Sequence, residues 1–327
     1  MSEKIIEVRD LKKVFKVAIR KKAGLLSSVK SLFAREYKYV EAVAGVNLSI
    51  DKGEIRGLIG PNGAGKSTII KILSGVLYPT EGEVRVLNYT PWLQREKYVR
   101  NLGVVFGQKT QLWMDLPAID SFELNRQMYN IPEDLFRRNL EMFKELLNIS
   151  EVITKPVRQL SLGERMKCEI VAALLHEPPL VYLDEPTIGL DILSKEAIRN
   201  FIRQLNREKK TTFILTTHDL SDIEELCENV TIINKGTIVF NDTIDKLKSF
   251  FSDQKVFELK FSRKITGEQL EGFKVVQSDD FSASIEVDIA HSDLQSEVNR
   301  VFTRLPVMDI NINNISIEEV IKHIYTA

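Results

Sequence analysis

Cysteine is scarce in this 327-residue chain. Cys168 and Cys227 are its only two, and they do not form a C-x-x-C pair. That pattern argues against a disulfide-stapled scaffold or a thiolate metal site, and both read as reduced, buried thiols of a cytosolic protein. Long apolar runs are also lacking. Charged residues interrupt every stretch well short of the roughly 18 apolar residues that span a bilayer. The opening Met1-Ser2-Glu3-Lys4 carries none of the apolar run of a signal peptide. Any membrane function is therefore expected to come through another chain. Charge of one sign is absent too: 45 Lys and Arg oppose 46 Asp and Glu. Bulk charge thus gives no argument for nucleic acid, and none is expected as a partner. No internal repeat is visible. His176, His291 and His323 lack metal-like spacing and read as surface or packing residues.

What is there is an ordinary globular composition, 43% hydrophobic, at a length that suggests about two domains. Short β-rich runs at Ile55–Ile59, 104–106, 180–183 and 213–216 alternate with helical segments. That order predicts an α/β core with a mostly parallel sheet. Asn234-Lys235-Gly236 lies between two further β-rich runs and reads as a hairpin closing the first domain, residues 1–244. The remainder, 245–327, mixes strands near 256–261, 273–277 and 285–289 with helices near 292–303 and 317–325. It reads as a small α+β accessory domain, its last helix opened by a Ser316/Glu319 capping box. Residues 16–38 form a basic insertion with apolar residues at helical spacing. Contact with anionic lipid or with a partner near the membrane surface is one reading, and a solvated surface insertion is the other.

Gly60-Pro61-Asn62-Gly63-Ala64-Gly65-Lys66-Ser67 satisfies G-x-x-x-x-G-K-[ST] in full, after an apolar strand and before the helical run that starts at Thr68. The glycines let backbone N–H groups turn inward around phosphate oxygens. Lys66 supplies a cation for the β- and γ-phosphates, Ser67 a hydroxyl for Mg²⁺, and the following helix its positive dipole end. A second strand, residues 180–183, ends in Asp184 and Glu185. At the carboxyl edge of a parallel sheet these acids face the same crevice as the loop. Asp184 suits the Mg²⁺ shell, and Glu185 suits a general base for the attacking water.

Phosphate loops occur in many ATPases and GTPases. The discriminating stretch is Leu160-Ser161-Leu162-Gly163-Glu164, which resembles the LSGGQ signature of ABC ATPases. Gln108 stands where that family has its Q-loop glutamine. Gly189-Leu190-Asp191 looks like its D-loop, and His218 in Thr216-Thr217-His218-Asp219 like its switch histidine. The resemblance covers roughly residues 5–240. It implies a phosphate-loop ABC ATPase core: a mixed sheet with helices plus a helical signature subdomain. It further implies ATP and Mg²⁺ as cofactors, with Phe15 stacked on adenine and Tyr37 or Tyr39 as weaker substitutes. Gln108 would touch Mg²⁺ and the lytic water, and His218 the γ-phosphate. Ser161 and Gly163 would contact the γ-phosphate bound to a second copy, and Asp191 would reach across a head-to-tail homodimer. Leu162 and Glu164 depart from the family's Gly and Gln. Glu164 is expected to add negative charge near ATP and weaken closure modestly.

Residues 103–117 and the end of the chain resemble ABC-2 exporter ATPases serving drug or antibiotic efflux. The expectation is an ATPase subunit at the cytoplasmic face of a membrane, working with separate integral membrane permease subunits. Trp113 would be a candidate interface aromatic there, and Trp92 a packing one. An importer subunit and a non-transport ABC protein are the alternatives. The second lacks support, since translation factors carry two cores, chromosome-maintenance members long coiled coils and repair members zinc cysteines.

Overall fold

The protein is described by a computed structural model covering residues 3–18, 37–107, 109–217, 219–249, 253–290, 292–315 and 317–326. The sequence expectations for Gln108, His218, His291, Ser316 and residues 19–36 therefore fall outside the described residues, as does the side chain of His323. The chain divides into two compact units, Met1–Asp242 and Thr243–Ala327.

The first unit is built on a six-stranded sheet of order β5-β6-β7-β3-β8-β9. Its strands are β3 (Ile55–Ile59), β5 (Leu102–Phe106), β6 (Leu180–Asp184), β7 (Thr212–Thr216), β8 (Asn229–Asn234) and β9 (Thr237–Thr243). All four pairings from β5 to β8 are parallel. Parallel strands covered on both faces read as continuous apolar runs, and β3 and β7 are buried along their whole length. The carboxyl ends of β3, β5, β6 and β7 consequently emerge at one edge, where ligands bind in open α/β sheets.

A three-stranded antiparallel sheet, β2-β1-β4, comprises β1 (Lys4–Ala18), β2 (Tyr37–Asp51) and β4 (Glu81–Val86). Its strands reach further into the basic insertion than the sequence suggests, since Ala18 still pairs with Tyr37. The Val14-Phe15-Lys16-Val17 run favours extended backbone. The remaining insertion, 19–36, lies outside the described residues.

Helix α1 (Lys66–Leu73) follows the phosphate loop, and α2 (Arg95–Tyr98) precedes β5. Three helices form a subdomain between β5 and β6: α3 (Ala118–Met128), α4 (Glu133–Leu147) and α5 (Leu162–Leu174). Next come α6 (Ile192–Lys209) and α7 (Leu220–Leu226). Helix α4 meets α6 through an edge-on Phe143–Phe201 pair, ring centroids 5.1 Å apart.

The second unit is a four-stranded antiparallel sheet of order β11-β12-β10-β13. Its strands are β10 (Gln254–Phe261), β11 (Lys274–Ser278), β12 (Ser282–Asp288) and β13 (Val307–Asn314). Helices α8 (Ile244–Ser249), α9 (Leu294–Arg304) and α10 (Ile317–Thr326) complete it. Alternate residues Phe257, Leu259 and Phe261 of β10 join Ala283, Ile285 and Val287 of β12 and Val301 of α9 in one core.

Candidate functional site

The phosphate loop is shaped by what its glycines avoid. A Cβ on Gly60 would meet the Ile233 carbonyl at 2.4 Å, and one on Gly65 the Ala42 carbonyl at the same distance. Gly65 also adopts φ 110°, which an L side chain resists. The loop is thus wedged against β8 and β2. Ala64 accepts from the Gly236 N–H at 3.0 Å. Lys66 is 6% exposed, and its Nζ donates to the Gly60 carbonyl at 2.6 Å and the Pro61 carbonyl at 3.2 Å. Burial lowers its pKa, against the opposing pull of Glu185 and Asp184.

Strand β7 lies between β3 and β6, and its last residue links the loop's surroundings to the acids. Buried Thr216 donates its hydroxyl to Asp184 Oδ1 at 2.6 Å. The same hydroxyl and the Thr216 carbonyl accept from the Glu185 N–H at 3.1 and 3.0 Å. Ser67 Oγ donates to Asp184 Oδ1 at 3.4 Å. Glu185 takes φ 57°, a left-handed turn rare for a residue with a side chain. Gly107 permits it: a Cβ there would meet the Asp184 and Glu185 carbonyls at 2.6 and 2.9 Å. Asn62, Ser67, Gly107, Asp184 and Glu185 line one cavity of about 310 Å³. Loop and acids, far apart in sequence, therefore share one space.

Phe15 is half-buried on β1 and pairs with Val40 of β2. Ala42, against the loop at Gly65, stands two positions further along β2, or about 7 Å at strand rise. The Lys13 ammonium lies 5.2 Å from the Phe15 ring centroid. Tyr39 is 66% exposed and Tyr37 42%.

The signature residues lie elsewhere: neither Ser161 nor Gly163 lines that cavity. Ser161 caps α5, accepting from the Glu164 N–H at 3.2 Å, while Glu164 Oε2 accepts from the Ser161 N–H at 2.8 Å. This closed capping box occupies Glu164, and hydrogen bonding to its carboxylate, first from the Ser161 backbone N–H and then from the Ser161 side chain, lowers its pKa. Sequence reading treated Glu164 only as added charge. The S-x-x-E spacing, the same signal used at Ser316, would have found its role.

The matching family model, described as ABC transporter, spans residues 43–188. The ABC transporter ATP-binding protein NatA of Bacillus subtilis is 32% identical over 215 residues, 66% of this chain and 87% of its own. The chain belongs to the ABC transporter ATP-binding family. The lantibiotic transport ATP-binding protein SrtF of Streptococcus pyogenes is 33% identical, covering 65% of this chain and 90% of SrtF. The bacitracin transport protein BcrA of Bacillus licheniformis is 27% identical over 86% of this chain and 92% of BcrA. Among solved structures, the ATP-binding subunit of an ABC transporter aligns with TM-score 0.61 at 27% identity, covering 76% of this chain and 93% of that one. A dimeric cassette in a post-hydrolysis state with ADP and Pi bound gives TM-score 0.61 at 25% identity, covering 73% and 98%. This ABC chain is accordingly an ATP-binding, ATP-hydrolysing enzyme with the α/β cassette fold.

Two further networks in this ABC ATPase escaped sequence reading. Glu169, on α5 and 4% exposed, holds the segment after Gln108. Its carboxylate accepts from the Thr110 hydroxyl and from the Gln111 N–H at 3.1 Å, and its carbonyl from Gln111 Nε2 at 2.9 Å. Burial raises its pKa. Near the switch segment, buried Asp222 accepts from the Thr187 hydroxyl and from Thr217 Oγ1 at 3.2 Å, beside Arg199 Nε at 3.1 Å. Thr187, just before the D-loop, and Thr217, just before His218, are thereby tied to one carboxylate. Asp191 caps α6, accepting from the Ser194 N–H at 2.9 Å and the Ser194 hydroxyl at 2.7 Å.

The other single residues resolve simply. Cys168 and Cys227 are buried, and burial pushes the Cys168 thiol up to about 12. Trp113 is 54% exposed, and Trp92 packs partly buried on the core.

Proposed function

We propose that this chain is the ATPase subunit of an ABC exporter, closing head to tail with a second copy on ATP. The observation that supports it is the split site. Lys66, Ser67, Asp184 and Glu185 meet around the loop, while Ser161 sits on a separate helix start. A helix N-terminus bearing small residues is an anion site that needs phosphate from elsewhere. ATP bound at one copy's loop would fill that gap in the other.

Within each site, Lys66 binds the β- and γ-phosphates and exchanges its loop-carbonyl bonds for theirs. Ser67 and Asp184 present hard oxygen donors that suit Mg²⁺, which when bound would neutralise charge on the phosphates. Glu185 removes a proton from water as the water attacks the γ-phosphorus, the bond from that phosphorus to the β,γ-bridging oxygen breaks, ADP leaves, and Thr216 fixes the turn that aims Glu185. Gln108 and His218 join this site by resemblance, Phe15 and Asp191 likewise. The division at residue 244 assigns catalysis to the first part and an accessory role to the second.

Among the described residues no helix is long and apolar enough to cross a membrane. Transport thus rests on separate permease subunits, with this chain peripheral at the cytoplasmic face. A second cavity of about 360 Å³ supplies the docking groove, walled by Arg95, Gln111, Tyr129 and Glu169. Val76, Phe106 and Lys109 wall both cavities, so a seated permease would feel the nucleotide. Exposed Trp113, Met114 and Leu116 extend the apolar surface. Export follows the antibiotic-transport names of SrtF and BcrA.

Glu185→Gln removes the base without changing shape. Its steady-state ATPase rate is expected to fall by about 100-fold or more. Equal rates for both proteins would refute the assignment of the base. Co-purification from detergent-solubilised membranes should bring down an integral membrane protein; ribosomes or DNA alone would overturn the transport reading.

A further inference from the structure

Lys12 is the last residue of β1 to pair with β4, and Val14 is pinned only by its N–H, which donates to Thr80 Oγ1 at 3.0 Å. From there outward β1 has β2 as its one strand partner among the described residues, in unbroken register from Val14 opposite Glu41 to Ala18 opposite Tyr37. A two-stranded ribbon thus stands out from the three-stranded sheet, and such a ribbon alone is marginal in water. Cross-strand partners share a face and alternate residues change face. Lys16, Tyr37 and Tyr39 therefore lie on one side, and Val17, Lys38 and Val40 on the other. All six are exposed, Tyr39 by 66%, Val17 by 50% and Val40 by 41%. The Lys16 ammonium lies 4.0 Å from the Tyr37 ring centroid. Both faces mix apolar surface with cations, and the 18 residues 19–36 that join the strands add five cations against one acid.

We propose that this ribbon dips into the headgroup layer of an anionic phospholipid surface. It rests on the membrane-peripheral placement above. A protein groove covers one face of a ribbon, whereas a headgroup layer covers both at once, which suits a ribbon with apolar side chains on each face. Tyrosine and lysine place their apolar bodies among the upper acyl carbons and their polar tips among the phosphates. The open strand edges limit the depth, because hydrocarbon offers backbone N–H and C=O groups no partner. The ribbon then ties the ATP-binding unit to the bilayer independently of a permease.

The test uses the full chain alone, co-sedimented with vesicles of phosphatidylcholine, pure or with about 30% phosphatidylglycerol. The parent should bind the anionic vesicles about tenfold or more tighter than the neutral ones, and lose that preference in high salt. Lys16→Glu/Lys38→Glu should weaken binding by about tenfold or more, since each lysine near an anionic surface is worth about fivefold. That variant keeps the five cations of 19–36, so binding equal to the parent's overturns the ribbon. Tyr39→Trp is the second variant. Its added emission should move to shorter wavelength with anionic vesicles as the ring leaves water, and unmoved emission also overturns the ribbon. Both variants should melt like the parent, because these side chains stand in solvent. A chain that ignores vesicles yet brings down a permease from membranes overturns the lipid contact and leaves the exporter reading intact. Vesicle binding with no permease recovered upholds the ribbon and counts against the exporter reading.

Discussion

Thr216 carries more of the site than its small side chain suggests. Its hydroxyl donates to Asp184 and accepts from the Glu185 N–H. Thr216→Val keeps the shape and β-branching but removes both bonds. Asp184 then keeps only the longer Ser67 bond and the Glu185 N–H only the Thr216 carbonyl; losing a hydrogen bond to a charged group costs about 1–3 kcal/mol, and here that cost falls on the reactive turn. The variant should retain its KM for ATP, because the loop and Lys66 are untouched. Its kcat should drop about 10-fold, read by steady-state kinetics, as Glu185 loses its aim. A raised KM with normal kcat would place Thr216 in binding instead. The loop, Asp184 and Glu185 were legible in the sequence because each residue's type is its chemistry. Thr216 and Glu169 were not, because their roles come from partners distant in sequence, Asp184 and Thr110, which only the sheet order and the α5 packing bring near.

Helix α5 is the element on which the signature depends, and both of its ends can be probed. At the start, Glu164 returns a bond to the Ser161 N–H. Glu164→Ala should lower stability by about 1 kcal/mol in urea unfolding. Glu164→Gln should match the parent, because an amide oxygen can accept the same bond. If the charge mattered more than the cap, Gln would behave like Ala. Beyond the far end, His176 stacks on Tyr129 at 4.0 Å between centroids, and its Nε2 donates to the Leu102 carbonyl at 2.9 Å. That contact ties the end of α5 to the end of α3 and to β5. Burial lowers the His176 pKa to about 4. Its unfolded value is about 6.5, so the unfolded chain takes up the proton first as pH falls. Stability therefore declines between about pH 6.5 and 4, by up to about 3 kcal/mol. His176→Phe keeps the stack and should flatten that slope, measured as unfolding midpoint against pH; a parallel slope in the variant would assign the loss to other groups. The helix itself was visible as a periodic run. Its capping box needed only the S-x-x-E spacing, while the ring stack needed the third dimension.

At the scale of the whole molecule, strand and helix alternation foretold the parallel sheet because buried parallel strands leave continuous apolar runs in the sequence. The long β1–β2 ribbon was less legible, since its outer ends carry lysines and exposed tyrosines that mimic a polar insertion. The two units have separate cores, and every nucleotide-binding group proposed here lies in the first. Ligand that binds only a folded state stabilises that state by RT ln(1 + [L]/Kd), about 2.7 kcal/mol at 100 times Kd. In Glu185→Gln, which keeps ATP intact, scanning calorimetry should show the transition of Met1–Asp242 rising by about 5–10 °C with Mg-ATP. The transition of Thr243–Ala327 should stay where it is, because that unit offers ATP none of these groups. Lys66→Ala should abolish the rise while leaving both transitions present, since Lys66 serves the phosphates rather than the apolar core. A rise in both transitions would mean that nucleotide energy reaches the second unit, making that unit part of the motor.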